Sequence, residues 1–400
     1  MKLAPRFLLF LALIAAQASA RPHRLTVPAP AEDRVAQVVT ITLPADAPRS
    51  AVLRAASGEV LPLQAAGDGT AQFVIPVQRA GARLEFLLEA ASAPPDGVTV
   101  EQKAEGLHLI AGGRTALTYR TDKASLPRAD IDPKYKRAGY LHPLLTPSGR
   151  VVTGDFPSNH VHHHGIWSPW TKTKFQGRAP DFWNMQDRTG TVELERVECT
   201  WGGPVHGGFV AHHRMVDLSA PSPTTALNET WAVTFYRVPG APRPLHVIDL
   251  VITQACATAD ALVLPKYHYG GLGYRGSEAW EDKANFSVLT SEGVTDRVKA
   301  NDTRVRWIFA GGRYPDGAEA GVVLLDHPGN FRAPQPVRVH PAMPYWSITP
   351  SQLGDWSIEP GKPYVARYRF LAHDGAADRA LAEAAWAAFA QPVTAMMEAL

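Results

Sequence analysis

Residues 191–201 read TVELERVECTW, with Val192, Leu194 and Val197 on one phase and Glu193, Glu195 and Glu198 on the other, save for one slip. Alternation every two residues gives an extended strand one apolar and one charged face, and it does not fit a helix, whose side chains recur every 3.6 residues. Similar runs follow one another after Val98: LHLIAGG, TALTYRT, FVAHHRMVDL, TWAVTFYRV, LHVIDLVITQA, RVRWIFAGG, AGVVLLDH and YVARYRFLAH. Half-buried strands of this length and number suit stacked antiparallel sheets. No strand–helix–strand rhythm and no repeat of fixed period interrupts them. The expected fold class is mainly β, with residues 98–373 forming a large antiparallel two-sheet sandwich that carries the site.

Before it, residues 21–97 hold shorter runs (VAQVVTITL, SAVLRAA, AQFVIPV, ARLEFLLEA), expected as a small β-sandwich domain. Pro94-Pro95-Asp96-Gly97 reads as the linker between the two. Residues 374–400 are expected to supply one C-terminal helix, because 375–390 are Ala-rich with Leu381, Ala385 and Ala388 at helical spacing and Pro392 stops the run.

The chain opens MKLAPRFLLFLALIAAQASA, in which Lys2 and Arg6 precede an apolar stretch and Ala18-Ser19-Ala20 offers a small-x-small cleavage site. Residues 1–20 are therefore expected to be a signal peptide, placing the mature chain in the periplasm or outside the cell. Without Lys2 and Arg6 the 40 basic residues become 38, against 38 acidic ones. Such a balance offers no field for nucleic acid or anionic lipid, and no later segment has the roughly 18 uninterrupted apolar residues of a membrane span. Cys199 and Cys256 both fall in strand-like text; an oxidising compartment would permit one bridge, and two unpaired buried thiols is the commoner outcome.

Gly271, Gly273 and Gly276 match G-x-G-x-x-G, but no helix follows to present its amides to a pyrophosphate. Glu105-Gly-Leu-His108 lies in a strand-like run, not on a helix of a di-iron bundle. No G-x-S-x-G elbow occurs.

SNHVHHHGIW, residues 158–167, is different. It puts four of the chain's 15 histidines into five positions. On an extended strand His160, His162 and His164 would share a face and could hold a Zn- or Cu-type ion through neutral nitrogens. If the segment instead curls at a strand end, as flanking Pro157 and Gly165 suggest, His162 and His163 enter a cleft together and can exchange protons without metal. The second arrangement is the expected one, so no cofactor is expected, with the divalent metal as the alternative. A purely structural role for some of these rings stays open.

Around this segment stand Arg137, His142, Trp170, Asp181, Trp183 and Asn184, with Tyr267, His268 and Arg275 in YHYGGLGYRG and Asn330 after LLDHPG. Flat rings beside His, Asp, Asn and Arg suit polyhydroxylated ligands.

The text RAGYLHPLLTPSGRVVTGDFPSNHVHHHGIW, with YHYGGLGYRG and LLDHPGNFRAP, resembles a bacterial family labelled "methane oxygenase PmoA"-like, of unknown function. The resemblance covers roughly residues 100–372. Asn159 and His164 stand where that family's run commonly has Asp and Arg. The long antiparallel strands also resemble the sandwich of galactose-mutarotase-like carbohydrate enzymes. That resemblance implies a sugar site on one sheet face with histidine as acid or base. The expectation is a carbohydrate-active hydrolase, lyase or epimerase with His162 and His163 catalytic, helped by His160, His142 and His268. Arg137, Asp181, Asn184, Tyr267, Arg275 and Asn330 would bind the substrate, and Trp170 or Trp183 would stack on a ring. The alternatives are a non-catalytic glycan-binding protein, or a metal-dependent oxidoreductase with His160, His162 and His164 as ligands.

Overall fold

The computed structural model describes residues 22–48, 50–91 and 96–400. The leader expected at 1–20 and Pro94 and Pro95 of the expected linker lie outside the described residues. The chain is mainly β, in several antiparallel sheets, with one helix of three turns near its end.

Four long strands run as a meander, Gly190–Trp201, His206–Asp217, Thr224–Tyr236 and Leu245–Cys256. Tyr364–Asp374, Glu319–Asp326, Trp307–Arg313 and Phe286–Thr290 extend them into an eight-stranded sheet. Facing it is a nine-stranded sheet, ordered Thr303–Arg304, Pro336–Val339, Tyr345–Ile348, Leu272–Arg275, Ile166–Trp167, Tyr140–Leu144, Arg114–Arg120, Gly106–Ala111 and Val98–Gln102. Between the two lies the main core, in which Ile248, Leu250 and Ile252 of one sheet meet residues such as Leu141, Ile166, Tyr274 and Trp346 of the other.

Alternation then gives the eight-stranded sheet a second apolar face. Val247, Phe309, Val323 and Leu371 point away from the main core and are covered by the helix Arg379–Ala390 through Leu381, Ala382 and Ala385. Val35 and Val74, from strands of the first 91 residues, complete this layer. The helix begins at Arg379, later than the Ala-rich text suggests. Gly375 sits at φ 92° in a turn, and the Asp378 carboxylate accepts the Leu381 amide at 3.0 Å as an N-cap.

Residues 22–91 form a five-stranded and a three-stranded sheet around Leu25, Leu53, Phe73, Ile75 and Phe86. The five-stranded sheet is completed from the other end of the chain, where Met396–Ala399 pairs antiparallel with His23–Val27. The segment after residue 374 is thus a helix and a strand, where the sequence suggests a helix alone. Alternation over four residues beyond Pro392 was too short to mark it. Cys199 and Cys256 are free. They occupy strands separated by two others, roughly 14 Å at sheet spacing, beyond the reach of a disulfide. No helix among the described residues is long and apolar enough to cross a membrane.

Asp378→Ala should remove the helix cap and its contact with Arg243 at 3.6 Å, costing about 1 kcal/mol. Urea denaturation should show this as a lower midpoint at unchanged m-value.

Candidate functional site

The site is built on the other face of the nine-stranded sheet, and the pleat decides what reaches it. In register, Ile166 pairs with Tyr274 and Tyr274 with Trp346, and all three point into the main core. Their neighbours Trp167 and Tyr345 point out, into a second buried cluster with Tyr140, Phe156, Trp183 and Met343. Trp167 pairs with Gly273. A Cβ on Gly273 would lie 2.7 Å from the Trp183 ring and 3.1 Å from Trp167. The G-x-G-x-x-G text therefore clears space for two indoles, whose centroids are 4.8 Å apart.

On this platform rests the histidine segment. It is curled: the His160 amide donates to the Pro157 carbonyl at 3.1 Å and the His163 amide to the His160 carbonyl at 2.9 Å. The Phe156 amide donates to the His163 carbonyl at 3.0 Å and closes the loop, with Phe156 held at φ 46°. Consequently His160, His162 and His163 cluster, with ring centroids 4.7–5.6 Å apart. His164 turns the other way, under the loop. Its ring stacks on Tyr140 at 4.4 Å, and its Nδ1 meets Asp155 at 2.8 Å, while the Tyr140 hydroxyl donates to the same carboxylate at 2.9 Å.

A cavity of about 210 Å3 opens over the platform. Of the residues singled out in the sequence, His160, His162, His163, His268, Trp183 and Asn184 line it. Tyr269, Arg338, His340, Met343 and Tyr345 complete the lining and were not singled out. A signal for two of them exists: in Pro336-Val-Arg-Val-His340, Val337 and Val339 are fully buried, so alternation sends Arg338 and His340 together to the site face.

Other expected residues lie elsewhere. Arg275 is fully buried directly behind His163, its Nη1 3.3 Å from His163 Nδ1 and its Nη2 bonded to Asn159 and Glu281. Tyr267 packs beside His268 and Tyr269, outside the lining, with Lys172 over its ring. The Asp181 carboxylate is spent on its own turn, accepting the amides of Trp183 and Asn184 and the Asn184 side-chain amide. His142 bonds Thr153 at 3.0 Å, on the Asp155 side of the loop. Arg137 is buried behind the segment, with Nε and Nη1 unpartnered. Trp170 is buried in the main core, its indole N–H donating to Gln254 at 2.7 Å, so it is not available to stack on a ligand. Asn330 knits the loop after Asp326, bonding that carboxylate and the Arg367 backbone.

The same curl bears on metal. A histidine backed by a carboxylate, as His164 is by Asp155, is how many metal ligands are oriented. His160 and His162, however, face the cavity while His164 faces Tyr140, so the three do not converge. No group of three or more His, Cys, Asp or Glu side chains suited to an ion occurs among the described residues.

Electrostatically the cavity keeps its imidazoles neutral. Burial pushes His162 down to about 3, aided by the neighbouring His160, His164 and Arg275. Burial, with the Arg338 charge, pushes His340 down to about 4. His163 is held well below the usual range by burial, then by His162 and Arg275. Two tautomers follow from partners that can only donate. Arg275 forces His163 Nδ1 to accept, and the amides of Ala342 and Met343, at 3.1 and 3.0 Å, force His340 Nδ1 to accept. Each ring must carry its proton on Nε2.

Two outcomes follow. As pH falls below about 6.5, the unfolded chain takes up protons that His162 and His340 refuse until about 3 and 4, so stability is lost across that window. Asp155 and Asp326 work the other way, since burial raises them to about 6 and about 7 and the folded chain binds their protons first as pH falls to about 4. With His163 and His164 also held well below the usual range, the histidines outnumber these two carboxyls, so calorimetric melting should show the midpoint falling from pH 7 to pH 4. His162→Asn should flatten that fall by up to about 1.4 kcal/mol per pH unit. Gly273→Ala should cost about 1–3 kcal/mol through displaced indoles, read by urea denaturation and tryptophan emission.

Residues 107–387 match a family described as "Family of unknown function (DUF6807)". The match spans most of the sandwich, including all the cavity residues, and runs into the terminal helix. No curated protein matches the chain. With the match covering well over half of its length, the chain belongs to this family of unknown function.

Proposed function

We propose that the protein is a carbohydrate-active enzyme that works by histidine proton transfer on a sugar or glycoside, without a resident metal. The observation that carries this reading is the packing of His160, His162 and His163 within one small cavity walled by Trp183 and Tyr345, with His163 stacked on Tyr345 at 4.8 Å. Trp183 and Tyr345, 0% and 4% exposed, form the floor of the cavity and do not stack on a ligand, while the accessible imidazole, amide and phenol groups of His160, His162, Asn184 and Tyr269 meet hydroxyls. A cavity below the roughly 300–1,000 Å3 of drug-sized sites suits one sugar unit. The likeness to the PmoA-like family and to mutarotase-like sandwiches belongs to the same reading, as does a periplasmic or extracellular setting inferred from residues 1–20.

Within that class, lyase or epimerase chemistry fits better than hydrolysis. Most glycoside hydrolases flank the bond with two carboxyl groups, and the described lining holds no Asp or Glu. Burial holds His162 low, and the negative charge that develops on a bound substrate offsets it, so His162 can take a proton from a substrate carbon as the electron pair moves toward an adjacent oxygen. The Nε2–H of His163, a neutral donor held by Arg275, stabilises the charge that develops there.

The test is a screen of oligosaccharides and 3-keto sugars with product detection, followed by His162→Asn and His163→Asn on whichever substrate turns over. Turnover should fall by about 10²–10⁴ with ligand affinity held within a few-fold. Binding without turnover in the unmodified protein would make it a glycan-binding protein instead.

A further inference from the structure

We propose that the sugar this cavity takes is a sugar acid, with its carboxylate seated on Arg338 and the Nε2–H of His340; the proposal rests on the carbohydrate reading above. Arg338 spends its Nη1 on the Asn301 side chain at 2.8 Å and the Val339 carbonyl at 3.3 Å, and makes no other hydrogen bond and no ion pair among the described residues. Of the other guanidiniums near the site, Arg275 is balanced by Glu281 and sealed behind His163, and Arg137 is buried behind the histidine segment. Arg338 therefore brings a positive charge without an ion-pair partner to a cavity whose described lining contains no carboxylate; Asp302, whose charge opposes that of Arg338 at His268, lies outside the lining and accepts from Gln352.

The neutral groups beside it point the same way. His340 lies two residues along the same strand phase and presents a donor, because two backbone amides occupy its Nδ1. His163 presents a donor for the reason given above. A hydroxyl must both give and receive hydrogen bonds, whereas a wall of N–H donors around one cation is matched by a group that only accepts. A carboxylate has two such oxygens and forms charge-assisted bonds with guanidinium. Acceptors for the sugar's hydroxyls are offered by Asn184 and Tyr269 of the same lining, which are hydrogen-bonded to each other. An acid carbon next to a carboxylate held by Arg338 would also be the carbon from which His162 most readily takes a proton.

Calorimetric titration at pH 7 with D-glucuronate, D-galacturonate, D-glucose, D-galactose, acetate and inorganic phosphate tests this. At least one uronate should bind, and its neutral counterpart should bind about tenfold or more weakly. Arg338→Gln should erase that preference while melting as the unmodified protein does, and Arg338→Lys should restore part of it. His340→Gln should weaken the uronate without affecting the neutral sugar. Neutral sugars binding as well as uronates, with Arg338→Gln without effect, would overturn the acid and leave the sugar reading standing. Acetate binding as tightly as a uronate would support the anion seat and sink the sugar. Binding of phosphate in place of uronates, or no uronate binding up to about 10 mM, would overturn the proposal.

Discussion

The central strands of the nine-stranded sheet are buried on both faces, and the rest of the site depends on that. Ile166, Tyr274 and Trp346 close the sandwich on one side, while Trp167, Tyr345 and the gap left by Gly273 make a floor on the other. A sheet normally needs one covered face; here the pleat supplies two, and a one-residue slip in any of these strands would exchange them. The floor is dense with indole and phenol, so anything laid on it is desolvated. The curled histidine segment is such a thing.

Desolvation in turn fixes the chemistry. Imidazoles pressed against Trp167, Trp183 and Tyr345 beside Arg275 do not hold a second positive charge, and they stay neutral through the physiological range. A neutral ring has one donor and one acceptor, so whatever occupies Nδ1 determines what Nε2 offers. Glu281 acts at a distance through this rule: it holds Arg275, Arg275 holds His163, and His163 faces the cavity. The same carboxylate accepts from Asn159, so the loop that carries the histidines is tied to the strand that carries Arg275.

Much of this was legible in the sequence, and what was not has a physical reason. Alternation announced the sandwich because it is a local property. The pairing of Met396–Ala399 with His23–Val27 was not legible, since nothing local in four residues names a partner some 370 positions away. Histidine density marked the segment, and Pro157 with Gly165 marked its curl. Arg338 and His340 escaped notice because polar residues alternating with valine look like any solvent face; only the strand order, which sets Pro336–Val339 beside Tyr345–Ile348 and Leu272–Arg275, turns that face into a cavity wall. Conversely, Trp170 stands three residues after Trp167 and yet is buried in the opposite core, because the chain leaves the sheet between them.

The central claim is that neutral imidazoles in this cavity move protons on a bound sugar. Its most direct test is deuterium wash-in: incubation with candidate sugars, uronates among them, in deuterated buffer, followed by proton NMR of the recovered substrate and product. The account predicts deuterium at a single carbon, at a rate that collapses in His162→Asn. A sugar that binds the cavity and turns over with no carbon-bound deuterium, or wash-in unaffected by loss of His162, would contradict it.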